Sequence, residues 1–226
     1  MLIQFQKSDQ IRHLGLLDLQ RTMQRSLRRS GLPIAYSNGF NPHIVMSFAS
    51  ALSTGIPGDA EVLDVSLSGD TTEEVALQAM QCVLPPALRP TRLRLVDDRF
   101  PKLGRILSFA SYRFSVTGGE RLALAASIPA FLAQTEIMAL RKSKSAETLI
   151  NIRPLIHTLT CETLPDEVTI EATVSFTEAA TLKPDLLFST LCREANLAEP
   201  PYRVRRTGLY AQSSEALVSL MDFPSP

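Results

Sequence analysis

The stretch from Ala35 to Phe48, AYSNGFNPHIVMSF, brings aromatic, amide and imidazole side chains together in one short segment. Aromatic rings stack on nucleic-acid bases, and amide or imidazole groups hydrogen-bond to base edges. The candidate base-binding residues are Tyr36, Asn38, Phe40, Asn41 and His43. His43 is also the residue able to act as a general acid or base.

The same segment also has a purely structural interpretation. Asn38 and Gly39 both tolerate positive φ and predict a tight hairpin turn. Pro42 cannot donate to a strand ladder, which limits any strand there to an edge. Turn chemistry thus accounts for Asn38, Gly39 and Pro42, whereas Phe40, Asn41 and His43 remain candidates for recognition.

A second candidate set lies on a helix predicted between residues 13 and 30. Its apolar side carries Leu16, Leu19, Met23 and Leu27. Its opposite side carries Arg21, Arg25, Arg28 and Arg29. A charged outer side is normal for an amphipathic helix, but guanidinium groups also bind phosphate or carboxylate in a bidentate manner. We therefore predict that these arginines position phosphate groups.

Charge over the whole chain predicts no general attraction to a polyanion, because 23 basic residues balance 23 acidic ones. Any basic surface must come from local clusters. Beyond the helix, the remaining clustered basic residues are Arg141, Lys142, Lys144, Arg203, Arg205 and Arg206. They extend a basic surface only if folding brings them together.

Sequence motifs for common cofactors are missing. The chain has no G-x-G-x-x-G, Walker, G-x-S-x-G or HExxH sequence, and we predict no bound cofactor. The spacing of Asp59, Glu61 and Asp64 is more typical of solvated carboxylates, so no metal is predicted. The three cysteines, Cys82, Cys161 and Cys192, are set far apart in apolar surroundings. They predict buried, reduced thiols and exclude an iron-sulfur cluster built from this chain alone.

The predicted elements indicate an α+β fold of two modules. In residues 1–97 the order is β, α, β, β, α, β, typical of a ferredoxin-like module. The polar run DDRFPKLG then suggests a boundary, and residues 98–226 predict a second ferredoxin-like module with an extra β-hairpin. With no apolar run near the ~20 residues that a membrane span requires, a cytoplasmic location is expected.

Residues 16–67, LLDLQRTMQRSLRRSGLPIAYSNGFNPHIVMSFASALSTGIPGDAEVLDVSL, closely resemble the radical-SAM-linked protein family of bacteria. Weaker matches follow in KSKSAETLINIRPLI, TLKPDLLFSTLC and RVRRTGLY. The resemblance implies a partner radical SAM enzyme, beside which or fused to which such proteins occur. It also implies a neighbourhood of RNA-processing genes. Gly15 and Leu16 stand where that family has serine and histidine, so any chemistry of the helix histidine is lost here.

The leading hypothesis is a non-catalytic accessory protein that binds RNA, or an RNA-protein substrate, for the partner radical SAM enzyme. Two alternatives stay open. One is an RNA-acting enzyme that uses His43 as acid or base. The other is an adaptor whose loop and arginine helix bind only the partner protein.

Overall fold

The computed structural model describes residues 1–142, 147–213 and 216–225, and Lys144 lies outside these ranges. The chain has an α+β fold and divides into two compact units. One comprises Met1–Leu107 with Gly208–Pro226, and the other Ser108–Thr207. These bounds differ from the predicted division after residue 97, because the C-terminal segment returns to the first unit.

The first unit begins with four strands and two long helices, followed by a short helix. Their bounds are β1 Leu2–Lys7, α1 Leu16–Arg29, β2 Met46–Phe48, β3 Gly58–Val65, α2 Glu73–Val83, β4 Pro90–Arg94 and α3 Leu103–Ile106. β1 pairs antiparallel with both β3 and β4, and β2 pairs antiparallel with β3. β1 therefore lies between β4 and β3, and β2 pairs with the last three residues of β3 off the main path of the sheet.

The second unit repeats the alternation of strands and helices. Its elements are β5 Leu107–Val116, α4 Arg121–Ala133, β6 Met138–Lys142, β7 Glu147–Asn151, β8 Ile156–Thr163, β9 Val168–Ser175, α5 Pro184–Glu194 and the first part of β10 Tyr202–Ser213. The strand order is β10, β5, β9, β8, while β6 and β7 form a separate antiparallel hairpin. The remainder of β10 belongs to the first unit and pairs there with β11, Ala216–Ser219.

One hydrophobic core holds the elements that carry both candidate sets. Leu19, Met23 and Leu27 of α1 are buried in it. Ile34 and Ile44, on either side of the candidate loop, belong to the same core. Because the apolar side of α1 is packed inward, its arginine side faces solvent, as the 3.6-residue periodicity predicts.

Several local predictions are corrected by the structure. The spacing of Thr71 and Glu74 predicts a capping box at the start of α2. The cap is instead Thr72, whose hydroxyl accepts from the Val75 amide at 3.3 Å. Two of the three thiols, Cys82 and Cys161, are exposed, although all three were predicted to be buried. Apolar neighbours in sequence do not guarantee burial, because a residue at the end of a helix or on an outer strand has one side open to water.

The predicted second basic cluster is not a surface feature throughout. Arg206 is 1% exposed, and its guanidinium lies over the Phe176 ring at 5.5 Å from the centroid. Arg203 and Arg141 are exposed, and Lys142 pairs with Glu147 at 3.1 Å. The buried guanidinium supports packing within the second unit and is withdrawn from any polyanion surface.

Lys7 fixes the segment that leads into α1. This residue is only 1% exposed, and its Nζ donates to the carbonyl oxygens of Arg12 and Leu14, each at 2.9 Å. Burial of an ammonium group is costly unless its protons are hydrogen-bonded. The two bonds therefore tie the connection between β1 and α1 to the end of the strand and set where the arginine helix begins.

Replacing this ammonium tests its role in positioning α1. Lys7→Met keeps the length of the side chain but removes both charge-assisted hydrogen bonds. We expect the free energy of unfolding to fall by about 2 kcal/mol or more. Urea denaturation monitored by circular dichroism measures the change. Lys102→Met, at an exposed position, is the control, and an equal loss in both variants would contradict the assignment.

Candidate functional site

The candidate loop comprises residues 37–43 and is held at both ends. Tyr36 and Ile44 form an antiparallel bridge that closes the loop. Ile34 and Ile44 are only 7% and 2% exposed and anchor the flanking chain in the core. The Val45 amide also donates to the Ala35 carbonyl at 3.1 Å. A buried base thus supports a loop that projects into solvent.

The loop is longer than the predicted two-residue turn. A type I′ hairpin turn requires positive φ at both central residues. Gly39 has φ of 127°, whereas Asn38 is not among the positive-φ residues of the described chain. The prediction of a tight Asn38-Gly39 turn is therefore wrong. Gly39 is nevertheless needed, because residues with a side chain rarely adopt its backbone conformation.

Ser37 and His43 close the base of the loop. The Ser37 Oγ accepts from the His43 amide at 3.1 Å and lies 2.8 Å from the His43 Nδ1. The Ser37 amide also donates to the His43 carbonyl at 2.8 Å. When the Ser37 hydroxyl donates to Nδ1, the proton of the neutral imidazole resides on Nε2, which becomes a donor to solvent or a ligand.

The side chains above this base are open to solvent. Phe40 has a relative exposure of 106%, and Tyr36 has one of 47%. Asn38, Asn41 and His43 are exposed as well. A fully exposed phenylalanine at the tip of an anchored loop contributes nothing to the core of the unit. This arrangement is suited to contact with a flat or apolar ligand.

All four arginines of the second candidate set lie on the exposed side of α1. Arg21 pairs with Asp18 at 3.2 Å, as their spacing predicts. Arg25, Arg28 and Arg29 have no acidic partner among the described residues. Arg28 and Arg29 occupy the last turn, where positive charge also complements the helix dipole. Three guanidinium groups are therefore available to an anionic ligand.

Sheet topology relates the two candidate sets. β2 runs antiparallel to the last three residues of β3, so the chain before it, including residues 37–43, lies beyond the C-terminal end of β3. α1 follows β1, which ends beside Gly58 at the opposite end of β3. The chain after α1 then bridges to Leu67, just past β3. α1 therefore runs toward the end of the sheet at which the loop lies, and its last turn carries Arg28 and Arg29.

Strand alternation places one loop residue on the same side of the sheet as α1. Ile34 is buried in the core that α1 covers. Side chains two residues apart on extended chain share a face, so Tyr36 lies on the α1 side. No hydrogen bond or ion pair joins the arginines to the loop within the described residues. They are brought to one end of the unit rather than into contact.

Two residues at these sites, Ser37 and Leu17, were not among the candidates because neither belongs to a recognisable sequence motif. Ser37 fastens the loop through three hydrogen bonds with His43, one of them made by its backbone amide. Leu17 is 67% exposed near the start of α1. Its spacing of four residues from Arg21 is the signal that places it on the arginine side.

The second unit offers a different groove, at the end of α5. Cys192 borders it, but burial, with the nearby Glu199 carboxylate, raises the pKa of this thiol to about 11. Cys192 is therefore protonated at neutral pH and is a poor nucleophile. Nearby, the Tyr202 ring stacks on Phe188 at 3.9 Å between centroids. Both features indicate packing rather than catalysis.

The described residues contain no group of three or more His, Cys, Asp and Glu side chains arranged to hold a metal ion. None of their helices is both long enough and apolar enough to span a bilayer.

The structure defines an α+β protein with an anchored aromatic loop and an arginine helix. The chain belongs to the family described as "Uncharacterized protein conserved in bacteria (DUF2344)", whose model matches residues 1–184. That match carries no link to a radical SAM enzyme, so the association stays a prediction. No curated protein matches the chain.

Among solved structures, 21 chains match. One belongs to the "Crystal Structure of a Cbf5-Nop10-Gar1 Complex", with 12% identity and a TM-score of 0.47. The match covers 97% of this chain and 52% of that chain, so this chain spans about half the length of that one.

The role of Ser37 in holding the loop is testable. Ser37→Ala removes the acceptor of the His43 amide and the partner of its Nδ1, so the loop should open more often. We expect the His43 amide proton to exchange about three- to tenfold faster with solvent. Hydrogen exchange followed by NMR measures the rate. Ser47→Ala, at an exposed position of β2, should leave it unchanged, and equal rates in all three proteins would contradict this role.

Proposed function

We propose that this chain is a non-catalytic, cytoplasmic accessory protein that binds RNA, or an RNA-protein substrate, and presents it to a partner radical SAM enzyme. One observation carries the RNA part of the proposal. Three unpaired arginines lie on a helix that runs toward the end of the sheet from which the exposed aromatic loop projects. RNA presents both phosphates and unstacked bases, which such a surface binds together.

The arginine helix would supply the contacts to phosphate. Arg25, Arg28 and Arg29 are exposed and free of acidic partners in the described chain, so binding a phosphate breaks no internal ion pair. Arg21 must first release Asp18. Each phosphate contact also releases counterions, so affinity should fall steeply as salt rises.

The loop would supply the contacts to bases. Phe40 and Tyr36 expose ring faces for stacking. The amides of Asn38 and Asn41 and the Nε2 of His43 offer hydrogen-bonding groups for base edges. Because the loop is anchored by Ile34 and Ile44, little ordering is needed when RNA binds.

The proposal has two finer parts, one concerning the partner enzyme and one concerning the fold of each unit. The partner radical SAM enzyme is inferred from the resemblance of residues 16–67 to the radical-SAM-linked family. Each unit is proposed to be ferredoxin-like, the second with β6 and β7 as the extra hairpin. The pairing of β1 with β4 and β3, the pairing of β2 with β3, and the order β10, β5, β9, β8 support this assignment.

A second candidate function is RNA cleavage or modification by the loop itself. The observation that favours it is the 2.8 Å separation between the Ser37 Oγ and the His43 Nδ1, which is within reach for proton transfer. His43→Ala would then abolish turnover without loss of the fold, which circular dichroism checks. Unchanged RNA after prolonged incubation with the wild-type protein would contradict the enzyme and leave the binding proposal intact.

Removing the three unpaired guanidinium groups tests the phosphate contacts. The variant Arg25→Gln, Arg28→Gln, Arg29→Gln should bind single-stranded RNA more weakly, with the slope of log affinity against log salt reduced by about 2. Filter binding at several salt concentrations measures both quantities. The matched control, Arg89→Gln, Lys102→Gln, Arg105→Gln, removes the same charge from exposed positions of the first unit.

The two triple variants must differ for the proposal to stand. Equal slopes would mean that net charge alone attracts RNA. Absence of RNA binding by the wild-type protein, together with a partner protein that still binds after nuclease treatment, would favour the adaptor alternative.

Loss of the loop aromatic tests the base contacts. Phe40→Ala should weaken binding of single-stranded RNA by about 1–3 kcal/mol, because stacking on one base is lost. The free energy of unfolding should not change, since the ring is fully exposed. Fluorescence anisotropy with a labelled oligonucleotide measures the affinity. Phe40→Trp should restore it, and an affinity independent of the residue at this position would contradict stacking.

A further inference from the structure

An open groove of about 470 Å³ separates α1 from the end of α2. Arg25 and Arg29 border it on the α1 side. Cys82 and the residues that follow it, up to Pro85, border it on the other. Its volume lies within the usual range for small-molecule sites, about 300–1,000 Å³. The groove lies entirely within the first unit.

The lining of the groove divides the four arginines into two pairs. Residues four apart differ by only about 40° around a helix. Arg25 and Arg29 therefore project together, on the flank of α1 that borders the groove. Arg21 and Arg28 do not line the groove and lie further round on the exposed side.

The polar groups of the groove leave the two guanidiniums available. The Thr22 hydroxyl donates to the Asp18 carbonyl at 2.8 Å, and the Ser26 hydroxyl donates to the Val83 carbonyl at 3.4 Å. None of the described residues that line the groove is acidic. Arg25 and Arg29 thus give it a charge of about +2 without an internal counterion.

A charge of about +2 favours a phosphate monoester over a phosphodiester. A phosphodiester within an RNA strand carries one negative charge, whereas a phosphate monoester carries about −1.5 to −2 at neutral pH. The Cβ atoms of residues one turn apart are about 5–6 Å from each other, so two guanidiniums are able to bind the same phosphate. Leu84 and Pro85 add apolar surface for the attached sugar or base.

We infer that Arg25 and Arg29 bind the terminal phosphate monoester of a nucleotide in this groove. The nucleotide is the end of an RNA strand, a source that rests on the proposed function, or a free mononucleotide. Internal phosphates of the same strand would then contact Arg21 and Arg28. The groove therefore binds the terminal phosphate of the RNA, whereas the loop binds its bases.

Cys82 provides a direct reporter because its exposed thiol lies in the groove. Alkylation of the wild-type protein by iodoacetamide, followed by mass spectrometry, gives the rate at each cysteine. The probes are an RNA oligonucleotide with a 5′-phosphate or a 5′-hydroxyl, the same pair at the 3′ end, adenosine monophosphate and inorganic phosphate. Cys161, exposed in the second unit, is the internal control.

We expect an end-phosphorylated probe to slow alkylation of Cys82 several-fold and to leave Cys161 unchanged. The corresponding hydroxyl-ended RNA should bind without protecting Cys82. Arg25→Gln with Arg29→Gln should abolish protection and weaken binding of the phosphorylated probe by about tenfold or more. Arg21→Gln with Arg28→Gln, matched in charge, should bind the RNA probes more weakly but retain protection of Cys82 by adenosine monophosphate. Circular dichroism checks that both double variants are folded.

The outcomes separate this inference from the proposed function. Protection by adenosine monophosphate without any RNA binding would support the groove and overturn the proposed function. RNA binding with equal affinity for phosphorylated and hydroxyl ends, and no protection of Cys82, would overturn the groove alone. Equal loss of protection in the two double variants would also overturn it. If the arginines serve only to stabilise the end of α2, Arg25→Gln with Arg29→Gln lowers the unfolding temperature and no probe protects Cys82.

Discussion

Burial of two isoleucines on either side of the loop is the constraint on which the candidate surface depends. Ile34 and Ile44 lie in the core of the first unit, at 7% and 2% exposure. Each buried isoleucine contributes about 1.5–3 kcal/mol relative to exposure. Residues 37–43 lie between these two anchored segments and project into solvent. Phe40 is therefore exposed because its neighbours are anchored, and no disorder is required.

The same core determines which side of α1 faces water. Leu19, Met23 and Leu27 pack into it together with the two isoleucines. The arginines consequently face outward on a helix whose direction is fixed by β1 at its start and by the bridge to Leu67 after its end. One hydrophobic cluster thus positions both the exposed aromatic loop and the arginine helix, so that damage to the core should affect both.

Sequence periodicity was sufficient to predict α1 and its exposed side, because the apolar residues of α1 recur every three or four positions. It failed at Asn38-Gly39, since two turn-forming residues also fit within a longer loop that uses positive φ only at Gly39. The sequence also did not predict the burial of Arg206, because that burial depends on the Phe176 ring from a distant segment. Likewise, the groove beside Arg25 requires the end of α2, about fifty residues away in sequence, and no local pattern indicates it.

Photo-crosslinking of the wild-type protein to 4-thiouridine RNA, with peptide mapping, tests the central claim that the loop and the arginine helix form one RNA-binding surface. A single bound RNA should crosslink to peptides that contain residues 36–43 and 21–29. Crosslinks confined to the second unit, or to the first unit away from both segments, would contradict it.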